Sequence, residues 1–160
     1  MEKFQESHIK AKKHLHTADH MLTITYPLIK DPKLLLAVTD NVRKAAEGII
    51  ETMLEYERLY RRVPPYVDNF AAKFELFRNK VSAKYNFDND FIIMVKEIVE
   101  IVNAHKNSPM EFTRKEKFVI CNKQYATKTI SAEDLKKYIA KLKLYHKVSD
   151  NVLKNDRIFN

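Results

Sequence analysis

A single apolar stripe through residues 31–63 constrains this chain more than any other feature. Leu35, Val38, Val42, Ala45, Ile49, Met53, Tyr56, Tyr60 and Val63 recur in steps of three and four. At about 100° per residue these positions share one side of a helix. Asp40, Lys44, Glu47, Glu51, Glu55, Arg58 and Arg62 fall on the other side. Asp31 suits the cap and Pro32 the first helical position, where its missing N–H costs nothing. The spacing therefore predicts one helix about 45 Å long, enough to span a small domain.

The rest of the fold must be built with a single glycine, Gly48. Folds of many strands need glycine in their turns, so composition points to helices. A first helix is predicted over 4–25, with Phe4, His8, Ala11, Leu15, Ala18, Leu22 and Tyr26 inward and a stop at Tyr26-Pro27. Val63-Pro64-Pro65 breaks the long helix. A third helix, starting between Tyr66 and Asp68, carries Phe70, Phe74, Phe77 and Val81, whose helical spacing marks core rather than a base-stacking platform. A fourth covers 90–105, with Ile92, Val95, Val99 and Val102 inward and Ile93, Ile98 and Ile101 widening the stripe. Residues 118–121 and 125–130 have strand composition and predict a β-hairpin around Asn122-Lys123-Gln124. Ser131 then caps a last helix to about residue 153, with Leu135, Tyr138, Leu142, Tyr145 and Val152 inward and lysines including Lys143 and Lys147 outside. The expected class is all-α: about five helices with a small hairpin before the last. A bundle core (1–107), a hairpin (108–130) and a C-terminal helix (131–160) make one domain.

The formal net charge is +8, which suits an acidic partner. The excess is clustered: residues 61–84 carry six basic and two acidic side chains, and so do residues 105–128. Arg61, Arg62, Arg78, Lys80 and Lys84 form the first concentration; Arg114, Lys115, Lys117 and Lys123 form the second. These nine are the candidate nucleic-acid contacts, on the condition that the end of the long helix and the hairpin share one side of the bundle.

Chemistry-bearing motifs are sparse. His16 and His20 stand four apart with Asp19 beside them, but Thr17, Ala18 and Asp19 replace the Glu-x-x of a zinc-protease motif. No metal or cofactor is expected. Glu47, Glu51 and Glu55 form a carboxylate ladder read as a solvated face, with Arg58 and Arg62 offsetting it. Cys121 is the only cysteine, expected to be buried and inert. Phosphate loops, Rossmann turns and nucleophile elbows need glycines that this chain lacks. No apolar run reaches the length of a bilayer span and no signal-peptide pattern opens the chain, so the expected location is cytoplasmic.

Two stretches, DHMLTITYPLIKDPKLLLAV at 19–38 and KNSPMEFTRKEKFVIC at 106–121, resemble uncharacterised archaeal helical proteins. Two long antiparallel helices followed by shorter ones make residues 1–105 similar to the HEPN bundle superfamily, whose members are commonly dimeric and RNA-associated, many of them ribonucleases. Active members carry an arginine followed four to six residues later by histidine, and no arginine here has that histidine. The resemblance implies a bundle that dimerises and binds RNA without cutting it. The alternatives are a protein-interaction module, using the hairpin edge or exposed Leu36 and Leu54, and a nuclease or histidine-metal hydrolase.

Overall fold

The computed structural model describes residues 1–108, 110–114, 116–124 and 126–159, with only the backbone considered for 156–159. Six helices surround one core, with a small antiparallel sheet before the last: α1 (Lys3–His20), α2 (Tyr26–Ile29), α3 (Leu34–Leu59), α4 (Phe70–Lys80), α5 (Asn89–Lys106) and α6 (Ala132–Phe159). The fold is mainly α, as composition and periodicity require. Among the described residues no helix is long and apolar enough to cross a membrane.

The first helical run does not stop at Tyr26-Pro27. Residues Met21–Thr25 widen into a π-helical turn and the chain stays helical to Ile29. A proline ring and its missing N–H break a regular i→i−4 ladder; the wider turn changes the bonding frame just ahead of Pro27 and accommodates both. The run ends at Lys30, in the left-handed region at φ 55°, with its N–H bonded to the Tyr26 carbonyl at 2.7 Å.

Helix α3 is shorter than its stripe predicts at both ends. Asp31 bonds the Lys33 N–H at 3.0 Å, but helical bonding begins only at Leu34. At the far end Arg61 lies at φ 57°, Arg61 N–H reaches the Arg58 carbonyl at 3.0 Å and Arg62 N–H reaches Glu57 at 2.9 Å. That is a Schellman stop with arginine in the place usually given to glycine. Tyr60 is therefore 43% exposed instead of lying in the core, while Val63, beyond the helix, is buried. Val38, Val42, Ala45, Ile49 and Met53 are fully buried against α1 and the other helices, as the stripe requires.

Gly48 is where α1 crosses α3. A Cβ there would stand 2.9 Å from Ala11 Cβ, so the small residue permits a backbone approach within one chain. Leu54 is fully buried and Leu36 half-buried, both in or against the core. Neither is a free apolar surface, because α3 is covered on more than one side.

Helix α4 begins at Phe70, later than expected, where the Asn69 side chain accepts the Ala72 N–H at 2.8 Å. Phe74 and Phe77 are buried, and Phe77, Phe87, Phe91 and Tyr145 pack ring against ring with centroids 4.6–5.9 Å apart. Asp88 caps α5 through the Phe91 N–H. Ile93, expected to widen the inner stripe of α5, is instead 45% exposed.

The predicted hairpin is part of a three-stranded sheet, β1 (Met110–Arg114), β2 (Lys117–Cys121) and β3 (Thr127–Ile130), in that order. The additional strand β1 carries its period-two signal only in Met110, Phe112 and the opposed Glu111 and Thr113. Phe118, Ile120 and Ile130 share the buried face, and Cys121 is also buried. Ser131 caps α6 through the Asp134 N–H at 3.2 Å. Helix α6 runs on to Phe159, past the expected end near residue 153, and packs along α1 and α3.

Candidate anion-binding groove

The two predicted basic clusters lie at opposite ends of α3. Leu36 and Asp40 adjoin Ile130 of the sheet and His105 of α5, and the Tyr26 hydroxyl bonds the Glu116 carbonyl in the β1–β2 turn. Arg61 and Arg62 lie beyond Leu59, and a helix rises about 35 Å between those levels. The eight of the nine residues that are described therefore do not form one patch.

Much of the first cluster neutralises acids of the chain itself. Glu57, whose side chain is 2% exposed, accepts Arg62 Nε at 2.6 Å and Lys84 Nζ at 3.2 Å. Burial alone would raise this carboxyl; Tyr85, Arg62 and Lys84 outweigh it and hold the pKa below the ordinary value. Arg62 also lies over the Tyr60 and Tyr56 rings, at 4.9 and 5.4 Å from their centroids. Arg78 bonds both carboxylate oxygens of Glu75 at 2.7 and 2.8 Å. Arg61 and Lys80 remain exposed without an ion pair among the described residues. At the sheet, Arg114 and Lys117 are paired across β1 and β2 and line a shallow cleft with Phe112, Val119 and Asp134. Lys123 is exposed in the β2–β3 loop. Lys115 lies outside the described residues.

A further concentration of cations, three of them without an ion pair among the described residues, lies between α1 and α6. There an open groove of about 750 Å³ is lined by His8, Ile9, Lys12, Lys13, His16 and Thr17 on one side and Lys143, His146, Lys147 and Asp150 on the other. Lys12, Lys13 and Lys147 are exposed and have no ion-pair partner among the described residues. Lys143 meets Asp19 at 2.8 Å, which ties up the carboxylate that stood beside His16 and His20. No group of three or more metal-ligating side chains occurs among the described residues.

Two stacked imidazoles, each with its own hydrogen-bond partner, lie among the groove's lining residues. His8 and His146 stack at 4.2 Å with planes 6° apart. His8 Nε2–H donates to Asp150 Oδ1 at 3.1 Å, and His146 Nε2–H donates to the His8 carbonyl at 3.2 Å. Burial, then the neighbouring His8, lowers the pKa of His146. Lys154 and then His8 hold the Asp150 carboxyl below its ordinary value, against its own partial burial. Ser149 Oγ comes within 3.5 Å of His8 Nδ1, which lines up a serine, a histidine and an aspartate. Ser149 is 0% exposed and its hydroxyl donates to the His146 carbonyl at 2.6 Å. A sealed hydroxyl bonded to its own helix is no nucleophile, so this array holds α1 to α6.

The carboxylate ladder sits on the opposite flank of α1 and is partly covered. Glu47 pairs with Arg43 at 2.9 Å, Glu51 with Lys73 at 3.2 Å, and Glu55 accepts the Ser7 hydroxyl at 2.8 Å. Burial, with some help from Glu51, raises the Glu55 pKa. Arg62 does not offset the ladder as expected, since it serves Glu57, while Arg58 lies over the Tyr66 ring and lines one concavity with Glu51 and Glu55.

No family model, curated protein or solved structure matches the chain. The groove is hard to read in the sequence because the first thirty residues carry five basic and three acidic side chains, a modest sum that mixes two faces. The faces differ: Lys12, Lys13 and His16 look toward α6, Glu6 toward α3. The readable signal was helical spacing, with His8, Lys12 and His16 on one line and Lys143, Lys147 and Asp150 on another.

Proposed function

We propose that this chain is a non-catalytic helical bundle that binds RNA, or the RNA of a ribonucleoprotein, through the α1–α6 groove. One observation supports this most: four lysines from two helices line a single concavity, Lys143 paired with Asp19 and the other three unpaired among the described residues, and Asp150 is the one acid among the described lining residues. Phosphate contacts by lysine release condensed counterions, so the affinity depends steeply on salt. Arg114, Lys117 and Lys123 at the sheet are a separate anchoring point, and within the α3-end cluster Arg62, Arg78 and Lys84 are structural. The HEPN-like outline and the archaeal resemblance agree with a cytoplasmic, dimeric RNA-binding bundle.

The test is RNA binding by the full chain across a salt series. Tight retention at low salt, with a log–log slope that falls by about one for each groove lysine removed, is the expected result. Absence of retention at ~50 mM salt ends the proposal. A second reading, a protein-interaction module, draws on the sheet: β1 and β3 are both edge strands, and Met110 and Phe112 of β1 are 56% and 41% exposed. Light scattering and a pull-down separate it from the first, since a monomer without a protein partner counts against it.

A further inference from the structure

The groove has apolar and aromatic surface between its charged walls. Ile9 is 42% exposed in it, one turn from Lys12 and Lys13, and the half-buried His146 ring borders it from α6. A purely electrostatic seat for phosphates does not require the exposed Ile9 that lines this groove together with the His146 ring. We infer that the groove takes a single-stranded nucleic acid with bases turned inward onto Ile9 and His146, and phosphates on the lysines of both walls. A base-paired duplex is discriminated against. The inference rests on the RNA-binding reading above and specifies its ligand.

Width and length favour a strand over a duplex. Axes of packed helices lie about 8–10 Å apart, so a concavity between two of them admits one splayed strand, while a duplex rides on the rims and leaves the floor untouched. From His8 to Thr17, α1 rises about 14 Å, room for a few nucleotides. Unstacked bases present flat faces to side chains of this kind, and such contacts tolerate any base. Lys12 and Lys13 on one wall and Lys147 on the other can follow the backbone from both sides, which a strand lying lengthwise between two helices requires.

The experiment uses the full chain and three probes: a short labelled oligouridylate, a duplex of the same length, and inorganic polyphosphate as competitor. Fluorescence anisotropy is expected to show the single strand bound roughly tenfold or more above the duplex. Ile9→Ser is expected to weaken the single strand about fivefold or more while leaving polyphosphate competition unchanged. Ile9 is exposed, and a thermal melt checks that the variant stays folded. Equal binding of strand and duplex, or an Ile9→Ser variant that binds the strand like the parent, overturns the inference and leaves the polyanion reading standing. Failure of all three probes to bind removes both.

Discussion

Two basic regions of this molecule carry similar numbers of cations and use them in opposite ways. At the C-terminal end of α3, Arg62 and Lys84 converge on buried Glu57, and Arg78 closes on Glu75. Between α1 and α6, Lys12, Lys13 and Lys147 project into a concavity without an ion-pair partner among the described residues. The first arrangement keeps a carboxylate charged in the interior and secures the turn after α3. The second leaves positive potential facing solvent. Local charge density along the chain does not separate these outcomes, because the separation depends on which acids the fold brings near.

The largest effect expected from this contrast is on binding. Lys12→Glu combined with Lys147→Glu should weaken RNA about a hundredfold at low salt and flatten its salt dependence, with the melting temperature little changed because both side chains are exposed. Anisotropy titrations and a thermal melt check it; binding that survives both reversals breaks the contrast from the groove side. Arg62→Met should behave in the opposite way. It should cost about 1–2 kcal/mol of stability, because Glu57 loses its shortest bond while keeping Lys84 and Tyr85, and leave RNA affinity within error. A clear loss of RNA binding in that folded variant would return the α3 end to the functional surface.

Two smaller effects sharpen the picture of α1, which borders the groove. Gly48→Ala should destabilise by about 1 kcal/mol, the clash with Ala11 outweighing the gain in helix propensity; equal or higher stability in denaturant titrations would mean that α1 shifts freely on α3. The smallest effect is a pH response. The folded state lowers the His146 pKa from its ordinary 6.5, so the unfolded chain takes up the proton first. Stability attributable to this residue is present above pH 6.5 and declines as pH falls below it. Glu57, lowered from 4.5, holds its contribution until the pH drops into the carboxylate range, then loses it. Denaturant titrations across pH should show the first decline in the parent and not in His146→Gln; a parent curve flat through that range contradicts the burial of His146.

Much of the helical architecture could be read in advance because its signals are local. The α3 stripe and the Ser131 cap need only near neighbours to act. Elsewhere a distant or subtle partner decides the outcome. Pro27 did not stop the first run because the π-helical turn before it absorbed the missing bond. Leu54 is buried because α3 is covered on a side outside its main stripe. Strand β1 has too short an alternation to stand out until β2 pairs with it.

The groove was less legible than the fold. His8 was placed inward, and Lys143 and Lys147 outward, yet nothing in either helix by itself says that the two faces meet. Residues 8–17 and 143–150 are far apart in sequence, and their juxtaposition follows from α6 packing along α1. Glu57 was likewise invisible: only the turn at Arg61 and the approach of Lys84 turn a polar residue into a buried, doubly paired carboxylate.

The sequence by itself determined a mainly helical chain with a long amphipathic centre, a small sheet before the last helix and an excess of positive charge. Periodicity, capping and composition act over a few residues, so these properties do not wait for the fold. Tertiary structure decided which cations are spent on internal acids and which remain to meet a ligand. Coulomb interactions depend on distance in space, and the distance from Arg62 to Glu57, or from Lys12 to Lys147, exists only once the helices have packed.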